Sequence, residues 1–156
     1  MRDETIRAAE FGEGLGGNGW QPKFIGVPAP TRKEKIMTDR SCLVHLRNGT
    51  GLTIDSVTVK HNCGGDSYLV DKTIKGMAPN DEQYVFDAKY KTGAIHSDSD
   101  HWYLEYTQGD TTHKTSDGFT CELQSDDDGG TVVMSFTETN LNVKPPKSSA
   151  CDKTIK

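Results

Sequence analysis

Between Cys42 and Glu138, apolar and polar residues alternate in short runs broken by Gly, Asn and Asp. Trp102, Leu104 and Tyr106 share one parity, and His101, Tyr103 and Glu105 share the other. Phe119, Cys121 and Leu123 repeat the pattern, as do Val132, Met134 and Phe136. Period-two alternation of this kind belongs to half-buried antiparallel strands, one face on a core and the other in water. Strands are predicted near 42–47, 53–61, 68–74, 82–88, 101–107, 111–114, 119–124 and 131–137. The joins carry turn chemistry, as in Asn48-Gly49-Thr50-Gly51, Ala78-Pro79-Asn80-Asp81 and Asp127-Asp128-Gly129-Gly130. The expectation is an all-β fold: a single antiparallel β-sandwich of about eight short strands over 41–138.

The flanks read differently. Residues 1–40 form an N-terminal arm, in which 3–11 could make a short helix stopped by Gly12. Five glycines between Gly12 and Gly19 then make a spacer rather than a phosphate loop, since no Gly-Lys-Ser/Thr follows. Trp20, Phe24, Ile25 and Val27 form an apolar segment that needs a surface to cover, a neighbouring subunit being one candidate. Residues 139–156, with Pro145-Pro146 and four lysines, are expected to form an extended basic tail.

Charge sharpens this division. The arm carries seven basic and six acidic side chains, the central region seven and sixteen, and the tail four and one. An acidic body repels phosphate backbones, so nucleic acid is not an expected partner. There is no apolar run long enough to span a bilayer and no secretory signal core at the N-terminus. The localisation therefore stays open between retention, export by another route and a matured chain. Cys42, Cys63, Cys121 and Cys151 form no C-x-x-C pair and suggest no zinc site. By parity Cys42 and Cys121 belong in the core, while Cys63 and Cys151 are expected to be exposed and could form a disulfide.

The candidate contact residues are aromatic. Trp102 shares parity with core-facing Leu104, Tyr103 faces outward, and Tyr90 lies at a strand end. Together Tyr90, Trp102 and Tyr103 could present flat apolar area with polar tips to a lipid headgroup, a glycan or a protein. His96, Asp98 and His101 lie in one polar loop and could serve acid–base or metal chemistry, though such a loop also simply enters a strand. His45, His61 and His113 read as outward-facing. The acids at 126–128 lack the spacing of a calcium loop and read as a hairpin turn. Asn48-Gly49-Thr50 is a formal glycosylation sequon. No catalytic motif and no cofactor is indicated.

The runs Lys89-Tyr90-Lys91-Thr92-Gly93-Ala94, His101-Trp102-Tyr103-Leu104-Glu105-Tyr106 and Phe119-Thr120-Cys121-Glu122-Leu123 resemble small β-sandwich proteins of the aegerolysin type. Leu43-Val44-His45-Leu46-Arg47-Asn48 followed by 54–59 is similar to the first hairpin of such folds. The resemblance implies a β-sandwich and, through aegerolysins and the similarly folded actinoporins, a lipid-binding class. The expected function is a non-enzymatic binding module for membrane lipid or a surface glycan. The alternatives are a structural subunit that self-assembles through its arms into an oligomer or filament, and a metal-dependent enzyme using the 96–101 loop.

Overall fold

A computed structural model of the chain describes residues 38–65, 68–93 and 99–156. Its strands are β1 (Thr38–Asn48), β2 (Ile54–Cys63), β3 (Val70–Met77), β4 (Glu82–Thr92) and β5 (Asp100–Gln108). They continue with β6 (Thr111–Lys114), β7 (Phe119–Thr120), β8 (Thr131–Phe136), β9 (Asn140–Lys144) and β10 (Cys151–Thr154). Among the described residues these ten strands make two five-stranded sheets, so the chain is an all-β sandwich. One sheet runs β10-β9-β8-β1-β4; the other runs β3-β2-β5, with β6 and β7 pairing along different stretches of β5.

The alternation does what period two requires. Cys42, Val44 and Leu46 of β1 and Val132, Met134 and Phe136 of β8 turn inward from one sheet. Val57 and Val59 of β2 and Trp102, Leu104 and Tyr106 of β5 face them from the other. Each such large apolar side chain contributes roughly 1.5–3 kcal/mol by leaving water. One pairing differs from expectation, because β1 and β8 run parallel. Parity marks which face is buried but not strand direction, which the connections decide.

Trp20, Phe24, Ile25 and Val27 lie outside the described residues, and the last residues of the expected arm, from Thr38, already belong to β1. The expected tail is corrected outright. Residues 139–156 contain β9 and β10, and Leu141, Val143 and Ile155 are buried. Leu141 and Val143 alternate with asparagines as any half-buried strand does, and Pro145-Pro146 occupy only the loop that follows. β8 and β9 meet in a tight hairpin where Thr137 N donates to the Asn140 carbonyl (2.8 Å) and Asn140 N to the Thr137 hydroxyl (3.1 Å).

Three further ties hold this last segment. Cys121 and Cys151 form a disulfide, joining the stretch after β7 to β10 across the two sheets. The Cys63–Cys151 pairing that the sequence left open does not form, since Cys151 pairs with Cys121. Cys63 is buried at the end of β2, because it continues the inward parity of Val57, Val59 and His61. Ile155 bridges to Thr115, and Lys114 and Lys156 exchange both backbone hydrogen bonds (2.9 and 3.0 Å). The third tie is Asp127, fully buried in a 3-10 turn over Ser125–Asp127. Its Oδ1 accepts from the backbone N–H of Lys147 (2.8 Å) and Ser148 (3.0 Å). Its Oδ2 accepts from Gln124 N (2.8 Å) and the Ser148 hydroxyl. The acids at 126–128 are thus no hairpin turn. They sit where the chain crosses from one sheet to the other, and one of them fastens the proline loop.

Burial, the largest single influence on Asp127, pushes its carboxyl upward, but the donors from Ser148, Gln124 and Lys147 outweigh it and leave it below the ordinary 3.8. A carboxylate held below its unfolded value stabilises the fold fully above that value and ceases to as pH falls through the folded one. Asp127→Asn should therefore cost about 2–4 kcal/mol near neutral pH, with the deficit shrinking below about pH 4 as the native carboxyl protonates too. Urea titrations of both proteins across pH 3–7 measure this; a deficit independent of pH would contradict it. Pro146 also packs against Gly130, where an added Cβ would sit 2.5 Å from the Pro146 Cγ. Gly130→Ala should lower the denaturation midpoint by the equivalent of about 1–3 kcal/mol.

Candidate functional site

The aromatic candidates separate by depth. Tyr90 is buried because β4 runs on to Thr92 and turns Ala88 and Tyr90 inward, beyond the register shift at Val44/His45 in its pairing with β1. Its hydroxyl donates to the Gln124 carbonyl (3.0 Å), and burial drives its ionisation well above the ordinary tyrosine range. The Trp102 side chain is also in the core, its Nε1 donating to the Cys121 carbonyl (3.0 Å). Neither side chain offers area to a ligand at the surface, so the expected trio reduces to Tyr103.

Tyr103 stands on the outer face of β5, opposite Lys60 of β2. The Lys60 ammonium lies 5.3 Å from its ring centroid, within reach of a cation–π contact. Its hydroxyl donates to Glu105 Oε2 (2.7 Å). Partial burial and then this carboxylate push its ionisation up to about 12, so the ring keeps its proton near neutral pH. Around it opens a cleft of about 300 Å³ walled by Lys60, Asn62, Leu69, His101 and the Asp117-Gly118 turn. Leu69 is 51% exposed at its edge. The site thus offers one flat ring, one aliphatic side chain, an ammonium, an imidazole, an amide and a carboxylate.

Beneath the strands that floor this cleft lies a buried pair, of which His61 had been expected to face outward. His61 continues the inward series of β2, its Nε2 2.9 Å from Asp100 Oδ1. The other Asp100 oxygen accepts from Leu123 N (2.8 Å), and the Asp100 carbonyl accepts from Cys121 N (3.0 Å). The His61 ring packs on Trp102 with centroids 4.4 Å apart. The pair fixes the segment 121–123 to β5, where the ladder of β7 has already ended. His113 is only half-buried, stacked on Tyr106 at 4.8 Å, and His45 lies 3.2 Å from Glu82. His96 and Asp98 lie outside the described residues; His101 is exposed at the cleft. Among the described residues no three His, Cys, Asp or Glu side chains group to hold a metal ion, and no helix is long and apolar enough to cross a membrane.

Two other sequence features resolve into structure. Asn48 is fully buried, and its Nδ2 donates toward the carbonyls of Leu52 (2.7 Å), Met77 (3.2 Å) and Ala78 (3.0 Å). Its Oδ1 accepts from the Thr50 N–H and hydroxyl. The nitrogen a glycan would need is therefore occupied, and the sequon serves as a turn lock. A second cleft, of about 390 Å³, lies by β1 and β4, and two polar pairs cross its lining. There Arg40 pairs with Asp128 (2.9 Å) and Tyr68 donates to Asp39 (2.8 Å).

These features define a two-sheet β-sandwich with an open cleft around Tyr103 on an outer sheet face and a carboxylate-locked interior. Residues 38–152 match the family described as PUD1_2, Up-Regulated in long-lived daf-2, and the chain belongs to that family. No curated protein matches the chain.

Replacing Asn48 by Ala leaves the carbonyls of Leu52, Met77 and Ala78 without this donor. The expected loss is about 2–4 kcal/mol, well above that for Thr50→Ala at the edge of the same turn. Thermal melts of the two variants compare them directly; equal losses would contradict the central role given to Asn48.

Proposed function

We propose that the chain is a non-enzymatic binding module that takes a surface glycan in the Tyr103 cleft. The observation that carries this reading is the setting of Tyr103: one aromatic ring on an outer sheet face, ringed by Lys60, Asn62, His101 and Asp117. A sugar ring presents apolar C–H faces and a belt of hydroxyls. An aromatic plate with amide, carboxylate and cationic groups at its margin complements both. The resemblance of 42–138 to aegerolysins supports a binding class in general. The excess of acids in the central region favours a neutral glycan over an anionic lipid surface, which the same charge would repel.

The test is a glycan array with wild-type protein, Tyr103→Ala and Tyr84→Ala, and vesicles of neutral and anionic lipid as a separate arm. Tyr84 is 54% exposed on the opposite sheet and serves as the control. Tyr103→Ala should weaken glycan binding by about tenfold or more, as loss of a central aromatic contact does, and Tyr84→Ala should not. Binding to vesicles alone, or glycan binding indifferent to Tyr103, would overturn the reading.

A further inference from the structure

The disulfide stands in an unusual position relative to the strand it holds. β10 is the edge strand of its sheet, four residues long, with β9 as its ladder partner. Cys121 is buried, but Cys151 is partly exposed. Both line a groove of about 500 Å³ with Gln124, Lys147 and Ser149. The residues just before β10 are fastened separately, since Asp127 takes the N–H groups of Lys147 and Ser148 without any help from the disulfide. On the other side, β9 keeps its own ladder to β8. The segment 149–156 is thus bounded by an independent anchor. It is held by the disulfide, one short ladder with Asn140 and Asn142 donating to Asp152, the buried Ile155 side chain, and the backbone bonds of Ile155 and Lys156 to neighbouring chain.

We propose that Cys121–Cys151 is a reversible redox clasp, whose reduction by a dithiol frees 149–156 while the rest of the sandwich stays folded. Exposed disulfides at element ends are the ones open to exchange, and a cationic side chain beside them favours the incoming thiolate. One thiolate of the reductant attacks the accessible Cys151 Sγ. The Sγ–Sγ bond breaks, and Cys121 leaves with the electron pair and takes a proton from water. The second thiol of the reductant then attacks the mixed disulfide at the reductant's own sulfur and releases Cys151, which is protonated in turn. Two electrons and two protons pass to the protein, and the reductant departs as its own disulfide. Opening would uncover the outer edge of β9, whose backbone groups β10 now pairs.

Cys42 and Cys63 are buried and outside any disulfide, which makes them internal markers of global opening. The experiment treats the full chain with dithiothreitol under native conditions, then follows alkylation of each cysteine and amide hydrogen exchange. The expected result is alkylation at Cys121 and Cys151 but not at Cys42 or Cys63. Exchange over 149–156 should rise by about tenfold or more, with β1, β2 and β5 unchanged, and reoxidation should reverse both. Cys151→Ser should show the exchange pattern of the reduced protein. The proposal falls if dithiothreitol leaves the disulfide intact. It also falls if reduction leaves 149–156 protected, or if it opens β1 and β2 and exposes Cys42 and Cys63.

Discussion

The carboxylate of Asp127 is the interaction on which the closure of this sandwich depends. A sandwich of two sheets leaves two edges where core could meet water, and the last eighteen residues close one of them. A loop containing two prolines has few backbone donors to give, so it cannot hold itself against a sheet. Asp127 takes two of them, from Lys147 and Ser148, together with the Ser148 hydroxyl. A buried negative charge would be costly alone; four donors make it an anchor. Gly130 then lets Pro146 approach, and the strand that follows arrives in register with β9. Covalent, charged and ladder contacts thus converge within one stretch of chain.

Much of this was legible and some was not, for physical reasons. Alternation identified the inner faces of β1, β2, β5 and β8, because burial on one face of a pleated strand leaves no other pattern. The same rule applied to Leu141 and Val143, and would have found β9 had Pro145-Pro146 not dominated the reading of that region. The inward series of Val57, Val59, His61 and Cys63 was equally present, and a polar name hid His61. Other features leave no local trace. The parallel pairing of β1 with β8 and the partner of Cys151 are set by connections across the whole chain. The role of Asp127 depends on donors some twenty residues away.

The candidate site shows the same division. Tyr103 could be assigned to the outer face from parity alone, and the structure adds Lys60, Asn62 and Asp117, which no spacing in the sequence connects to it. Tyr90 was misplaced by a strand end set too early, since β4 continues to Thr92. Trp102 lends rigidity rather than contact area. Packed on His61 and hydrogen-bonded to Cys121, it fixes the strand from which Tyr103 projects.

The parallel pairing of β1 and β8 bears on how such a chain can be made. β1 is the first of the described strands to leave a ribosome, yet it lies inside its sheet, between the edge strand β4 and the late strand β8. Until β8 has been synthesised, one side of β1 from Leu43 to Asn48 lacks its ladder partner, and Leu46 and Val44 lack the side chains beside them. The early hairpins can form, but the pairing of β1 with β8 must wait until Phe136 has been made. Vectorial synthesis therefore leaves this side of the apolar β1 unpaired while β2 to β7 are being made.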